Sequence, residues 1–159
     1  MKNIYLNIYK PNSSNLRKAK KKLENNNVIG LPTETVYGLA GNAYSNKSVK
    51  KIFKLKKRPI FNPLIIHYRN LLNLKKDAIC NDNFMKLYKK LCPGPVTFIL
   101  KKKKESKISK IANVGKKTIA VRFPKHRVAR NLLKMLNIPL AAPSANISSK
   151  LSPTSAYDV

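Results

Sequence analysis

The sequence is poor in acid: six Asp and Glu residues stand against 34 Lys and Arg, a formal net charge of +28. The six carboxylates are scattered, so their spacing builds no all-protein cage for a divalent ion. Any Mg2+ would have to arrive with a phosphate substrate and keep several of its waters. Histidine and cysteine are scarcer, with two of each. Cys80 and Cys92 lie too far apart for a CxxC pair and are too few for a disulfide framework, which leaves reduced thiols in a cytoplasmic protein as the expectation. No apolar run reaches the roughly 18 residues that suggest a membrane helix. Met1 to Lys10 alternates instead of forming a continuous apolar segment, so no secretory leader is predicted. The GxxxxGK[ST] phosphate loop and the GxGxxG fingerprint are absent. So is GxSxG, and Ser144 therefore has no nucleophile elbow around it. An RNP-type aromatic sheet motif is missing too.

What is there is a core. The chain has 159 residues and 43% hydrophobic content, which fits one domain over 1–159 and excludes a disordered tail. A field of +28 attracts nucleic acid or other polyanions through phosphate contacts and counterion release. Lysine outnumbers arginine 28 to 6, and asparagine is abundant. That bias fits an A+T-rich coding sequence as well as it fits a binding face, and both readings of the surface lysines stand.

The chain is organised around Lys54-Leu-Lys-Lys-Arg-Pro-Ile-Phe-Asn-Pro-Leu-Ile-Ile-His67. Pro59 stops the preceding helix. Pro63 opens the apolar run Leu64-Ile65-Ile66, read as a buried strand with His67 at its end. Lys54, Lys56, Lys57 and Arg58 thus sit on a loop between helix and strand, a placement suited to phosphates.

In chain order, alternation of Ile4, Leu6 and Ile8 with Tyr5, Asn7 and Tyr9 predicts a strand. Asn15 is expected to cap a helix to about Asn25, with Leu16, Ala19 and Leu23 on one face. Val28 to Leu31 reads as a strand, and Pro32 to Asn42 as a loop in which Gly38 and Gly41 permit tight turns. Ser45 or Asn46 caps a helix through Lys57, its apolar positions being Val49, Ile52, Phe53 and Leu55. Asp82 caps a helix to Leu91. Val96 to Leu100 is a strand, Lys101 to Lys104 a solvated loop, and Thr118 to Phe123 a strand. His126 to Leu136 is a helix, Pro139 to Ala142 a short strand, and Pro143 to Thr154 a polar loop. Thr154 or Ser155 caps a last helix. Strands alternating with helices predict an α/β (α+β) fold, one domain with a mixed sheet flanked by helices.

Polar groups then gather at predicted strand ends: Thr33 and Glu34, Lys56 and Arg58, Asn62, His67, Thr118 and Arg122, Ser144, Asn146 and Ser152. Ligands of open α/β sheets bind outside the carboxyl ends of strands. Each residue also has a plain structural reading, His67 as a core histidine and Ser144 and Asn146 as turn formers. The residues by themselves stop at an anion-binding α/β domain.

Six motifs carry a resemblance. Pro32-Thr-Glu-Thr-Val-Tyr-Gly-Leu, Lys56-Lys-Arg-Pro, Asn62-Pro-Leu-Ile-Ile-His67, Pro93-Gly-Pro-Val-Thr, Thr118-Ile-Ala-Val-Arg122, and Ala142-Pro-Ser-Ala-Asn146 with Ser152-Pro-Thr resemble the YrdC-type threonylcarbamoyl-adenylate synthases, in family order from residue 28 to the end. The resemblance implies a twisted YrdC/RibB-like sheet with a basic concave cleft. It implies that L-threonine, bicarbonate and ATP, with Mg2+ carried on the ATP and no protein-held metal, become threonylcarbamoyl-AMP and pyrophosphate. The product would serve tRNA threonylcarbamoyladenosine formation by a downstream transferase complex, with tRNA or other RNA met through the basic surface and no membrane involved. By that resemblance Lys56, Arg58, Asn62, Thr118, Ser144, Asn146 and Ser152 hold ATP, with Lys56 and Arg58 catalytic. Thr33, His67, Arg122 and the Ala142 backbone hold threonine. The chain departs from the family at Ser148-Ser-Lys150, where a Ser-Gly pair is usual, and in its extreme charge. Family C-terminal strands are expected beyond Val159. The alternative is a non-catalytic double-stranded RNA- or tRNA-binding module with the same basic cleft.

Overall fold

The computed structural model describes residues 7–159. Of the strand expected over 4–9, residues 4–6 lie outside the described residues, while Ile8 and Tyr9 have irregular backbone. The first helix, α1, is Ser13–Glu24, and its cap is Asn12, not the expected Asn15. Asn12 has the extended backbone a cap requires and accepts the Asn15 N–H at 2.9 Å. A smaller shift, of one residue, gives α4, Asp82–Leu91, the cap Asn81 in place of Asp82. Helix α2, Asn46–Lys56, starts at Ser45 as expected and stops at Lys57, which turns left-handed at φ 47°. A single turn, α3 over Leu71–Leu74, is too short to show a helical period in the sequence and is capped by Asn70. Helix α5, Arg127–Met135, is capped by His126, whose Nδ1 accepts the Val128 N–H. Ser155 precedes only one 3-10 turn, Ala156–Asp158.

Among the described residues six strands form one mixed sheet. They are β1 (Ile29–Leu31), β2 (Gly38–Asn42), β3 (Ile65–His67), β4 (Thr97–Lys101), β5 (Thr118–Arg122) and β6 (Leu140–Ala141), in spatial order β1-β2-β6-β3-β5-β4. Only β3 and β5 are parallel; the other neighbours are antiparallel. β2 corrects the expected loop over 32–42. Gly-Leu-Ala-Gly-Asn has no β-branched residue, so local propensity hides the strand. Pairing on both sides creates it, and Gly41 lets α2 approach. A Cβ there would fall 2.5 Å from Ser48 Oγ, the oxygen that accepts the Asn42 N–H. The expected solvated loop at 101–104 is also corrected. Lys101 ends β4, and the Lys102 and Lys103 amides bond Lys117 and Asp77 carbonyls.

Alternation along the strands sorts the side chains into two faces. Ile66, Phe98, Leu100, Ile119, Val121 and Ala141 join Val49, Ile52 and Phe53 of α2 and Phe84 of α4 in one apolar core. On the opposite face, Leu31, Ala40 and Leu140 pack under Leu23 of α1, Leu132 and Leu133 of α5, and Leu136 just after it. That second core covers only the β1-β2-β6 half. Over β3, β5 and β4 the same face carries Ile65, His67, Thr118, Ala120, Arg122, Thr97, Ile99 and Lys101, which join neither cluster. Half of one sheet face is therefore left open, outside both apolar cores.

Below the other face, Asp77 is 1% exposed. Its Oδ2 accepts from the Tyr44 and Tyr68 hydroxyls at 2.8 and 2.9 Å, and its Oδ1 from Ser106 Oγ at 2.8 Å and the Lys107 amide at 3.2 Å. Burial, reinforced by this carboxylate, pushes both phenols above their ordinary range, so they stay donors.

Candidate functional site

The open face is built from strand ends. The parallel register sets His67 of β3 opposite Arg122 of β5, so both project on the same side. Arg122 Nη2 donates to Glu34 Oε1 at 2.9 Å and to Thr35 Oγ1 at 3.1 Å. Glu34 Oε2 accepts the Lys125 and His126 amides at 2.9 and 3.2 Å, just ahead of α5. One carboxylate thus braces the guanidinium against a helix start. Burial would raise the Glu34 carboxyl, but the Arg122 contact and the amides outweigh it and hold it below its usual range. Thr33 spends its hydroxyl on its own turn, donating to the Val36 carbonyl at 2.6 Å.

His67 is 2% exposed. Burial, then the Arg122 cation, lowers it to about 4 against a smaller opposing pull from Glu34, so the imidazole is neutral at pH 7. Its Nδ1 and Arg122 Nε are buried without a hydrogen-bond partner among the described residues.

The expected basic loop is corrected in part: Lys54 and Lys56 belong to α2, while Lys57 and Arg58 follow it, and the cations divide their roles. Lys56 is 1% exposed because it continues the stripe Val49-Ile52-Phe53-Lys56, one helical period on the inward side. Leu55, expected to point inward, is instead exposed. Lys56 Nζ donates to the Ser144 and Asn146 carbonyls, and the Lys56 carbonyl accepts the Ser148 amide at 2.8 Å. Burial and then neighbouring Arg58 bring this ammonium down to about 8. Arg58 is part-exposed and wraps its loop, donating from Nε to the Asn62 carbonyl and from Nη2 to the Pro63 carbonyl, each at 3.1 Å. Burial lowers it too.

The polar loop after β6 is stitched to the start of β2. Gly38 bridges Ser144, the Ala145 amide bonds the Tyr37 carbonyl at 2.8 Å, and the Tyr37 amide bonds Pro153 at 2.9 Å. Asn146 Nδ2 closes the loop on Ile147 and Lys150 carbonyls, while Asn146 Oδ1 and Ser148 Oγ stay buried and unpartnered among the described residues. The Ala142 amide is taken by the Ile65 carbonyl, and Ser152 is exposed.

The singled-out residues sort by place. Thr118 opens β5 and Arg122 closes it, about 13 Å apart at the usual strand rise. Arg58, Asn62, Ser144 and Asn146 belong to segments flanking the Thr118 end. His67, Glu34 and Thr33 gather at the Arg122 end. The tie between Glu34 and Arg122, with Thr35 beside it, went unseen in the sequence. The available signal was a lone carboxylate among hydroxyls in an acid-poor chain that also ends a strand in arginine. Among the described residues no group of three or more His, Cys, Asp or Glu could hold a metal, and no helix is long and apolar enough to cross a membrane.

Known proteins resemble this chain in sequence and fold. The Sua5/YciO/YrdC family model, described as "Telomere recombination", matches residues 21–159. The chain is 45% identical over 134 residues to the threonylcarbamoyl-AMP synthase of Pyrococcus abyssi, covering 83% of this chain and 38% of that one. To the Bacillus subtilis threonylcarbamoyl-AMP synthase it is 40% identical over 149 residues, covering 93% and 43%. A crystal structure of Pyrococcus abyssi Sua5 complexed with L-threonine superimposes with a TM-score of 0.88 at 40% identity, over 92% of this chain and 43% of that one. The chain thus spans about two-fifths of the length of these relatives.

Proposed function

The chain belongs to the Sua5/YciO/YrdC family, and from that premise we propose that it is an L-threonylcarbamoyladenylate synthase supplying tRNA threonylcarbamoyladenosine formation. The threonine amine takes up bicarbonate, losing water, to give a carbamate. A carbamate oxygen attacks the α-phosphorus of ATP in line. The bond to the β-phosphate breaks and pyrophosphate leaves. No protein nucleophile enters, so catalysis is positioning and charge stabilisation.

Arg122 takes the threonine carboxylate, with neutral His67, Thr33 and the Ala142 backbone forming the rest of that end. Arg58, Asn62, Thr118, Ser144, Asn146 and Ser152 hold the nucleotide. Lys56 has three N–H donors, two of them on loop carbonyls, which leaves one for a phosphate oxygen. Mg2+ rides on the ATP phosphates. The observation that carries this reading is the two-ended face: a braced arginine beside a neutral histidine at one end, and a cationic and hydroxyl-bearing end a strand's length away. Two anionic substrates that must meet need such a layout.

The test is pyrophosphate release measured with threonine and bicarbonate supplied together and singly. Release that requires both, with threonylcarbamoyl-AMP identified by mass, is the expected result. The +28 charge favours a second reading, an RNA- or tRNA-binding module without catalysis. Salt-sensitive RNA binding with no joint dependence of pyrophosphate release would decide for it.

A further inference from the structure

Away from the candidate cleft, a cavity of about 230 Å3 is lined by Tyr68, Arg69, Asn70, Pro124, Arg130 and Lys134, with Leu133 below. It shares no residue with the groups assigned above. Tyr68 directly follows β3, and Pro124 follows β5 after one residue, so the cavity sits beyond the carboxyl ends of the parallel pair β3 and β5. Sheets of this class use that location for ligands.

The charges there are not explained by folding. Arg130 and Lys134 stand one turn apart on α5, an i,i+4 pair of like sign, and Arg69 adds a third cation from the facing segment. Like charges at that spacing destabilise a helix. No acidic residue lines the cavity, and no hydrogen bond or ion pair to a described residue engages the side chains of Arg69, Arg130 or Lys134. The helix end accounts for Lys134, which lies in the last turn, but not for Arg130. Lysine bias does not account for the arginines. The chain has six, two serve the candidate cleft, and two line this one small cavity. Arginine is the cation whose planar fork matches phosphate oxygens in pairs. The floor is closed by buried Tyr68, whose hydroxyl is committed to Asp77, and by Leu133. The volume falls below the roughly 300 Å3 at which drug-sized ligand pockets begin. It admits a small anionic group, not a whole nucleotide.

We propose that Arg69, Arg130 and Lys134 form a second anion site that receives a phosphate group, separate from the candidate cleft. The group is either free inorganic phosphate or a backbone phosphate of RNA, and the two arms of the experiment separate these sources. Amide shifts of the full chain are followed by NMR at constant ionic strength, with inorganic phosphate in one arm and a short RNA duplex in the other. Arg69→Ala, Arg130→Ala and the double variant are compared with Lys47→Ala/Lys50→Ala, which removes the same charge from the exposed face of α2. Arg69 lies outside every helix and strand, so its variant keeps the fold even if the change at Arg130 perturbs α5. Expected are saturable shifts around residues 68–70 and 130–134, at least fivefold weaker binding in either single variant, and less than twofold change in the α2 control. Loss in the phosphate arm assigns free phosphate; loss only in the RNA arm assigns the backbone. Equal losses in the control and cavity variants, or none in the cavity variants, would overturn the site.

Discussion

Two regions bury polar groups to the same depth and treat them differently. Around Asp77, four donors from three segments converge on one carboxylate, and each of its oxygens accepts two hydrogen bonds. Around His67 and Arg122 only part of the hydrogen-bonding capacity is used, and His67 Nδ1 and Arg122 Nε have no partner among the described residues. Buried polar groups are almost always paired, because an unpaired one costs about 1–3 kcal/mol. The first region is a structural joint between the loops below the sheet. The second leaves stability unclaimed, and under the proposed function it is where a bound substrate would supply the missing partners. Four changes put this contrast at risk.

The largest effect belongs to the joint. Asp77→Ala strands several buried donors and is expected to cost roughly 3–5 kcal/mol, each unpaired donor contributing about 1–3. Urea unfolding measures it; a loss under 1 kcal/mol would mean the hub is slack. Next is the pH response of the open face. The folded His67 titrates near 4 and the unfolded residue near 6.5. Its stabilising contribution is thus complete above about 6.5 and lost as pH falls towards 4, with a slope of up to about 1.4 kcal/mol per unit as the unfolded chain takes the extra proton. Unfolding curves between these limits should flatten in His67→Gln relative to the parent chain.

Arg58→Ala is expected to weaken ATP binding by roughly 1.5–3 kcal/mol, the range for hydrogen bonds to charged groups, with stability nearly unchanged because the side chain is part-exposed. Calorimetric titration with ATP decides it, and an unaltered dissociation constant removes Arg58 from the nucleotide end. The smallest effect falls on Glu34→Gln, which keeps the shape and one acceptor but gives up the charge that braces Arg122. Threonine binding should weaken by about 1 kcal/mol while ATP binding holds. A matching loss of ATP affinity would show that the two ends of the face are not independent.

Periodicity made the elements legible, since α2, α4, α5, β4 and β5 each carry a pattern written in neighbouring residues. It failed where the pattern was short or the determinant distant. β2 has weak strand residues and exists because β1 and β6 flank it. Asn15 and Asp82 lost the capping role to Asn12 and Asn81, because capping depends on which residue turns extended, not on residue type alone. Lys56 was visible as a cation, and its position on the inward stripe of α2 was readable from spacing, yet a charged residue on an apolar stripe looks like an outward one until its carbonyl partners are seen.

By itself the sequence determined the alternation of helices and strands, the excess of positive charge, the kink-forming prolines around the basic loop and the order of the motifs. These are properties of residues and their near neighbours. Only the tertiary structure decided that Glu34 would meet Arg122 across 88 positions, that Lys56 would hold the loop at Ser144, and that α1 and α5 would cover one half of a sheet face and leave the other open. A contact between distant segments depends on strand order and register, which no local pattern encodes, and each such contact exists only because the rest of the fold has already met the entropy cost of bringing its ends together.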